Sequence, residues 1–260
     1  MKRCFAFGCS YTSYSYATWA DLIGINFKEY HNYGRAGCSN TYIMNRVVEA
    51  DCMYKFNPDT DFVLVMLTGF GRFSYLPPNT NWQTKGDLYS YNHNTNDPIT
   101  TEFVNNMWSD DWAVYQSWIA AKVIKQTLKN IKHHIVMGID NSAYIDGTAN
   151  VSDHMKPMAA EIYHMLDVNI TLDEWKEKNQ YYDSPNWTEE NRTDGHPSTN
   201  VYLKYIEEFF PRFNTTKTRK FVNRWNKDFD HTSQYNMGVK FNKEFREKFD
   251  HAHINSLLNG

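Results

Sequence analysis

Two segments far apart in the chain carry side chains suited to nucleophilic chemistry. Ser10 stands shortly after the apolar run "RCFAF", and the late segment "DGHPS" places Asp194 two residues before His196. A serine hydroxyl becomes a good nucleophile when an imidazole takes its proton, and a carboxylate orients that imidazole and stabilises its protonated form. Residues two apart in an extended segment point to the same side, so the Asp194 carboxylate can meet the His196 ring. These residue types predict a serine nucleophile with a histidine base.

Cysteine and histidine positions do not suggest a competing site. Cys9 precedes Ser10 and points to the opposite side if strand geometry continues, so we expect it to be a small buried packing residue. The four cysteines, Cys4, Cys9, Cys38 and Cys52, fit no zinc spacing, which favours reduced thiols in a cytoplasmic protein. The histidines that could suggest a metal are His133, His134, His154 and His164, and no acidic or cysteine partner stands at ligand spacing from them. We therefore predict neither a metal nor another cofactor.

Strand and helix patterns alternate along the chain. The strand candidates are "RCFAFG", "FKEYHNYG", "DFVLVMLTG" and "HHIVMGID". The helix candidates run from Thr18 to Gly24, from Ser39 to about Lys55, from Asp111 to Ile131, and onward from Ser198, with Ser39 and Ser198 as N-caps. The third strand is a continuous apolar run, as expected of a parallel strand covered on both faces. This order predicts an α/β protein with a central parallel sheet and right-handed crossovers.

The predicted sheet gathers the polar residues at one edge. Sites in parallel sheets lie at the carboxyl ends of the strands. The first three strands end at Gly8 to Ser10, Gly34 to Gly37 and Thr68 to Arg72. The "DGHPS" loop then needs only to fold back onto this edge. A serine, a glycine-rich turn and an Asp/His pair that converge there predict a hydrolase site.

Four blocks of the chain resemble the SGNH, or GDSL-like, hydrolases. The segments "FAFGCSYT", "NYGRAG", "VLVMLTGFGR" and "DGHPS" stand in the order of the conserved blocks of that family, over roughly residues 3 to 212. The resemblance is closest to phage-encoded members with Gly-Cys-Ser in the first block. It implies a three-layer α/β/α sandwich of the SGNH or flavodoxin-like type. It also implies Ser10 as nucleophile, His196 as base, Asp194 as orienting carboxylate, and the backbone amides of Ser10 and Gly37 as oxyanion donors.

The chain departs from the family pattern in two places. The third block of the family supplies an oxyanion-hole asparagine, whereas "TGFGR" has Gly71 at that position. Loss of one such donor costs on the order of a hundredfold in rate, and Asn40 or Arg72 could replace it. The family also often places its aspartate three residues before the histidine, and here the separation is two.

Composition divides the chain into a large domain and a basic tail. We assign residues 1–213 to the hydrolase-like domain and 214–260 to a C-terminal helical extension, because the tail has nine Lys/Arg against five Asp/Glu while the rest is acidic. The extension is either a solvated helical appendage, which we favour, or a docking segment for an acidic partner or itself; nucleic acid is not favoured. An insertion at 74–118, rich in Asn, Tyr and Trp, is either a sugar-binding cap or a lid packed by its own aromatic rings.

These expectations converge on a serine esterase that removes an acetyl or similar small acyl group from a glycan or small metabolite. The alternative is a non-enzymatic phage structural or carbohydrate-binding protein that keeps the fold while a weakened oxyanion hole no longer supports turnover. The sequence shows no signal-peptide pattern and no apolar run long enough to span a bilayer, so we expect no membrane partner. The expected location is the cytoplasm, or the host cytoplasm or virion if a phage encodes the chain.

Overall fold

A computed structural model describes residues 2–14, 16–78, 81–87, 98–181 and 196–228. The strands of this part of the chain are β1 (Arg3–Phe7), β2 (Glu29–Asn32), β3 (Asp61–Leu67), β4 (Arg72–Tyr75), β5 (Gln83–Asp87) and β6 (Lys132–Met137). The helices are α1 (Trp19–Gly24), α2 (Asn40–Tyr54), α3 (Pro98–Asn106), α4 (Asp110–Thr127), α5 (Ala143–Asp146), α6 (Lys156–His164), α7 (Leu172–Lys178), α8 (Thr199–Phe209) and α9 (Thr216–Asp228). None of these described helices is both long and apolar enough to cross a membrane.

The central sheet has four parallel strands in the order β2-β1-β3-β6. The connections from β1 to β2 and from β2 to β3 run in opposite directions across the sheet, so right-handed crossovers put α1 and α2 on opposite faces. The helix contacts agree: α1 packs with α8 and α9, whereas α2 packs with α4, and α4 with α6. The predicted three-layer α/β/α sandwich with a parallel sheet is confirmed.

Strand β3 lies at the centre of this core. All seven of its residues are buried, as the continuous apolar run predicts for a strand covered on both faces. Asp61, at its start, is the exception in polarity, and its carboxylate accepts hydrogen bonds from the Arg3 guanidinium at 2.8 and 2.5 Å. The charge of Asp61 is thus paired at the start of β3, and the rest of the strand is apolar up to Leu67.

Serine N-caps begin the two helices that border that edge. The Ser39 hydroxyl accepts from the Tyr42 amide at 3.3 Å, and the Ser198 hydroxyl accepts from the Val201 amide at 3.3 Å. Both N-caps are as predicted. Each cap satisfies an amide that has no partner within its helix, which fixes where the preceding loop must turn.

The insertion after β3 contains a structure that the sequence patterns did not predict. Strands β4 and β5 form an antiparallel hairpin with a register irregularity between Arg72 and Ser74. The Thr84 hydroxyl donates to the Ala36 carbonyl at 3.0 Å, which ties the hairpin to the loop after β2. Phe73 stacks on Phe103 with ring centroids 4.0 Å apart. Phe103 of the insertion thus packs against a ring that directly precedes the insertion.

The described part of the basic extension packs on the core. In α9, Phe221 is 5% exposed and Val222 is 1% exposed. The buried Thr218 hydroxyl donates to the Phe213 carbonyl at 2.7 Å and accepts from the Asn26 amide group at 3.1 Å. Helix α9 thus covers α1, and residues 229–260 lie outside the described part of the chain.

Candidate active site

The loops after β1 and β3 border the point where the sheet reverses its direction of winding. The chain leaves β1 toward β2 on one side and leaves β3 toward β6 on the other, so the two loops diverge and open a crevice between them. Ligands of open α/β sheets bind in such crevices. Ser10 follows β1, and the segment from Thr68 to Arg72 follows β3. Ser10 and the segment from Thr68 to Arg72 therefore lie on the two sides of one crevice.

Ser10 lies in a tight turn directly after β1. The amides of Thr12 and Ser13 both donate to the Cys9 carbonyl, at 3.0 and 3.1 Å, so the chain turns immediately at the strand end. A Cβ atom on Gly8 would lie 2.1 Å from the Thr12 hydroxyl oxygen, so this position requires glycine. Ser10 is 5% exposed, and Cys9 is fully buried, as expected of a packing residue.

His196 packs against the residues that follow Ser10. Its ring stacks on Tyr14, with centroids 4.1 Å apart and planes at 11°, and meets the Tyr11 ring edge-on at 5.1 Å. The Tyr16 hydroxyl donates to the His196 carbonyl at 3.4 Å. Nearby, the Thr199 hydroxyl donates to the Ala17 carbonyl at 2.9 Å. The start of α8 is therefore attached to the loop after β1, and the histidine and the serine loop share one corner of the molecule.

Asp194, the predicted orienting carboxylate, lies outside the described residues. A different carboxylate, which the sequence patterns did not single out, reaches this corner. The Tyr11 hydroxyl donates to Asp173 Oδ1 at 2.8 Å, and Lys176 Nζ lies 3.6 Å from the same oxygen. Burial raises the pKa of Asp173, while the nearby ammonium group of Lys176 and the Tyr11 hydrogen bond oppose that rise. Burial next to this carboxylate also raises the pKa of the Tyr11 hydroxyl. The hydrogen bond from Tyr11 to Asp173 anchors the ring that touches His196.

The loop after β2 is bonded to the serine loop. The Gly8 carbonyl accepts both the Arg35 amide at 2.9 Å and the Cys38 thiol at 3.3 Å. Between these two residues Gly37 has a φ of 69°, in the left-handed region that glycine adopts without strain. Gly37 thus lies in the loop adjoining the one that carries Ser10.

Asn40 holds the loop after β3 through all of its side-chain hydrogen-bonding groups. Its carbonyl oxygen accepts from the Thr68 amide at 2.8 Å, and its amide nitrogen donates to the Thr68 carbonyl and to the Ser117 hydroxyl, each at 3.1 Å. Asn40 is 2% exposed. Because both amide hydrogens have partners, a role as oxyanion donor would require Asn40 to break one of these bonds.

Asn141 holds the same loop from the other side. It follows β6, and its carbonyl oxygen accepts from the Phe70 amide at 2.7 Å while its amide nitrogen donates to the Ile139 carbonyl at 2.9 Å. The sequence patterns did not single out this residue. Two buried asparagines therefore fix the backbone at the end of β3.

Arg72 differs from the asparagines because its donors are unused. Its Nε and Nη1 atoms are buried and have no hydrogen-bond partner among the described residues. It lies close to Gly69, since a Cβ atom there would be 3.8 Å from Arg72 Nε. Of the two side chains predicted as replacement oxyanion donors, Arg72 is thus the one with free N–H groups.

Two of the histidines that could suggest a metal lie away from the functional edge. His133 and His134 are at the start of β6, away from the carboxyl edge, and His134 Nε2 lies 2.9 Å from Arg212 Nη2. Within the described ranges, no three His, Cys, Asp or Glu side chains are grouped so that they could hold a metal ion.

No family model and no curated protein sequence matches this chain. Among solved structures, the chain is similar to an acetylxylan esterase from Geobacillus stearothermophilus, with 11% sequence identity and a TM-score of 0.40, over 82% of this chain and 94% of that one. It is also similar to a GDSL-like lipase from Bacteroides thetaiotaomicron, with 14% identity and a TM-score of 0.36, over 81% of this chain and 86% of that one. The structures that this chain is similar to thus include an esterase and a GDSL-like lipase.

Proposed function

We propose that this protein is a serine esterase in which Ser10 is the nucleophile, His196 the base and Asp194 the orienting carboxylate. One observation carries the proposal: the His196 ring is held by Tyr11 and Tyr14, which both belong to the loop that begins with Ser10. A lone serine at a strand end is ordinarily a turn residue. A histidine brought from nearly two hundred residues away to the same loop supports a chemical role for both.

The reaction follows from these roles. His196 takes the Ser10 hydroxyl proton as Oγ attacks the ester carbonyl, and the tetrahedral oxyanion accepts hydrogen bonds from the Ser10 and Gly37 amides. His196 then returns the proton to the leaving alcohol oxygen, which gives an acyl-serine. A water molecule attacks that ester with His196 again as base, releasing a carboxylic acid and free Ser10. The residues proposed here need no metal or nucleotide for this sequence of steps.

We propose a small acyl group, such as acetyl, on a glycan or small metabolite as the substrate. Ser10 is largely buried, and the hairpin tied to Ala36 lies beside the loop that carries Gly37. Such a setting favours a short acyl chain over a long one. A panel of aryl esters from acetate to octanoate tests this point, and we expect kcat/KM to fall with chain length.

Labelling by a fluorophosphonate probe tests the proposed nucleophile. We expect the purified protein to be labelled at Ser10 and to hydrolyse an aryl acetate, Ser10→Ala to lose both properties, and the matched neighbour variant Cys9→Ala to retain most of both. Loss of labelling and turnover in Cys9→Ala alone would establish a thiol mechanism instead.

A non-catalytic binding protein with the same fold is the second candidate. The observation that favours it is the complete engagement of the Asn40 amide, which leaves the loop after β3 without a free asparagine donor among the described residues. This candidate predicts a folded protein that neither reacts with the probe nor hydrolyses any ester of the panel. Ser10→Ala would then change nothing that can be measured.

A further inference from the structure

A small cavity lies between the start of α2, the β4 strand and α4. Its volume is about 80 Å³, and the residues that line it include Ser39, Thr41, Arg72, Phe73, Trp112 and Gln116. This is about half of the roughly 150 Å³ of an engineered protein cavity that binds benzene. The cavity therefore has room for a group of a few heavy atoms.

Among the side chains that the structure describes, the positive charge in the cavity has no counter-charge. Arg72 lines it, and two of the three guanidinium nitrogens are buried without a hydrogen-bond partner in the described part of the chain. None of the described residues lining the cavity is acidic. The N-terminus of α2, a helix of fifteen residues, adds the positive end of its dipole through Ser39 and Thr41. Each of these features favours an anion.

Leaving such donors unpaired is energetically unfavourable. A buried polar group without a partner pays the full cost of losing its hydration, and that cost is larger when the group is charged. Neutral buried atoms among the described residues also lack a partner, and Thr68 Oγ1 in the same loop is one of them. Arg72 differs from Thr68 because its group carries a full positive charge, whose burial without a partner costs more. A bound anion would supply that partner.

We infer that this cavity binds a small carboxylate group of the substrate, with the Arg72 guanidinium as its partner. Charge-assisted hydrogen bonds to a carboxylate are about twice as strong as neutral ones, which suits a site with few other donors. The aromatic rings of Phe73 and Trp112 form an apolar wall for the carbon attached to the carboxylate. This inference deepens the proposed esterase function by making the substrate an anionic ester, and its binding test does not depend on turnover.

Calorimetric titration with acetate tests the site directly. Acetamide is the matched control ligand, because it has nearly the same shape without the charge. We expect acetate to bind saturably and acetamide not to bind, in the unaltered protein and equally in Ser10→Ala. Acetate binding without any ester hydrolysis would support the carboxylate site while refuting the esterase. Failure to bind acetate, or equal binding of acetamide, would overturn the carboxylate site whatever the activity.

Variants assign the binding to Arg72. We expect Arg72→Gln to weaken acetate binding at least tenfold, since hydrogen bonds to charged groups are stronger than those between neutral groups. Arg219→Gln, an exposed arginine of α9, is the matched control and should bind acetate normally. If Arg72→Gln does not fold, Arg72→Lys keeps the charge but loses the guanidinium geometry, and it too should bind acetate more weakly. Unchanged affinity in a folded Arg72 variant would overturn the assignment.

Asp87 provides a further control because it stands opposite Arg72 in the β4–β5 register. If the chain itself neutralised Arg72 through Asp87, acetate would bind only to the Asp87→Asn variant. That outcome would overturn the inference. We expect instead that the unaltered protein and Asp87→Asn both bind acetate.

Kinetics separate carboxylate binding from an oxyanion role for Arg72. For 4-acetoxybenzoate, an ester with a carboxylate, we expect Arg72→Gln to raise KM about tenfold or more without lowering kcat. For phenyl acetate, its neutral counterpart, we expect a much smaller rise in KM. An equal fall of kcat for both esters would make Arg72 an oxyanion donor and would overturn its role in binding the substrate carboxylate.

Discussion

The two loops that flank the crevice are held in different ways. The loop after β1 holds His196 through the rings of Tyr11 and Tyr14, whereas the loop after β3 is fixed by the directional hydrogen bonds of Asn40 and Asn141. Ring contacts allow an imidazole small rotations at little cost, while amide hydrogen bonds fix backbone positions closely. The contacts of the first loop suit the proton transfer proposed for His196, and the rigid second loop suits the substrate wall proposed around Arg72.

The largest effect should come from the carboxylate proposed to orient His196. Asp194→Asn would hold the His196 ring in the wrong tautomer, so we expect kcat for an aryl acetate to fall by about four orders of magnitude without unfolding. Asp183→Asn, the matched control upstream, should keep normal turnover. If Asp194→Asn is nearly normal and Asp183→Asn or Asp173→Asn is not, the orienting carboxylate is one of those instead.

The next effect should appear in the stability of the second loop. Asn40→Ala removes three buried hydrogen bonds and leaves the Thr68 amide unpaired, whereas the Thr68 carbonyl keeps the Asn141 amide as donor at 3.4 Å, so we expect a loss of about 3 kcal/mol in the free energy of unfolding. Denaturant titration measures it. Asn45→Ala, whose half-buried amide donates to the Thr41 carbonyl, should cost about 1 kcal/mol or less. Equal losses in the two variants would show that Asn40 does not fix this loop.

A smaller effect should follow from loosening the histidine. Tyr14→Leu removes the stacked ring but keeps an apolar side chain, and we expect kcat to fall about tenfold while the unfolding midpoint changes little. Tyr14→Phe keeps the ring and should restore most of the turnover. A Tyr14→Leu variant with normal kcat would mean that ring stacking is not needed to position His196.

The smallest effect concerns the pH dependence of stability at Asp173. Its raised pKa means that the folded protein holds this proton more tightly than the unfolded chain, so its contribution to stability is greatest below about pH 4 and is lost as the pH rises through the folded-state value. In Asp173→Asn a neutral oxygen can still accept from Tyr11. We therefore expect a gain of roughly 1 kcal/mol or less at pH 7.

Denaturant titrations at pH 4 and pH 7 check this prediction, with the exposed Asp59→Asn as control. The gain in Asp173→Asn should appear at pH 7 and shrink at pH 4. A loss at pH 7 would show that the contact between Asp173 and Lys176 outweighs the cost of burying the carboxylate.

Local patterns were sufficient to predict the framework of the fold. The buried run of β3 and the serine caps of α2 and α8 follow from residue types within a few positions of one another. Such features depend on backbone geometry and burial, which hydrophobic periodicity and capping residues reflect directly.

Side-chain partners distant in sequence were not predictable in this way. Tyr11 and Asp173 are 162 residues apart, and Asn40 and Ser117 are 77 apart. The pattern "TLDE" marks a helix start, yet nothing in it indicates that Asp173 would meet a tyrosine of the first loop. Similarly, the three hydrogen bonds of Asn40 depend on how α2, β3 and α4 pack together, so the sequence does not show that its amide is already engaged. The roles of Ser10, Gly37, Asp194, His196 and Arg72 remain predictions.

The packing of α9 on α1 has a consequence for the order in which the chain folds. Contacts between β1 and β3 join residues 58 apart, but the hydrogen bond from Asn26 to Thr218 spans 192 residues. During synthesis the sheet can therefore begin to assemble while the outer face of α1 still lacks its cover. Closing such a long loop is slow, and an apolar face left open invites association with other chains. The docking of α9 thus determines how long this apolar face of the nascent protein remains exposed.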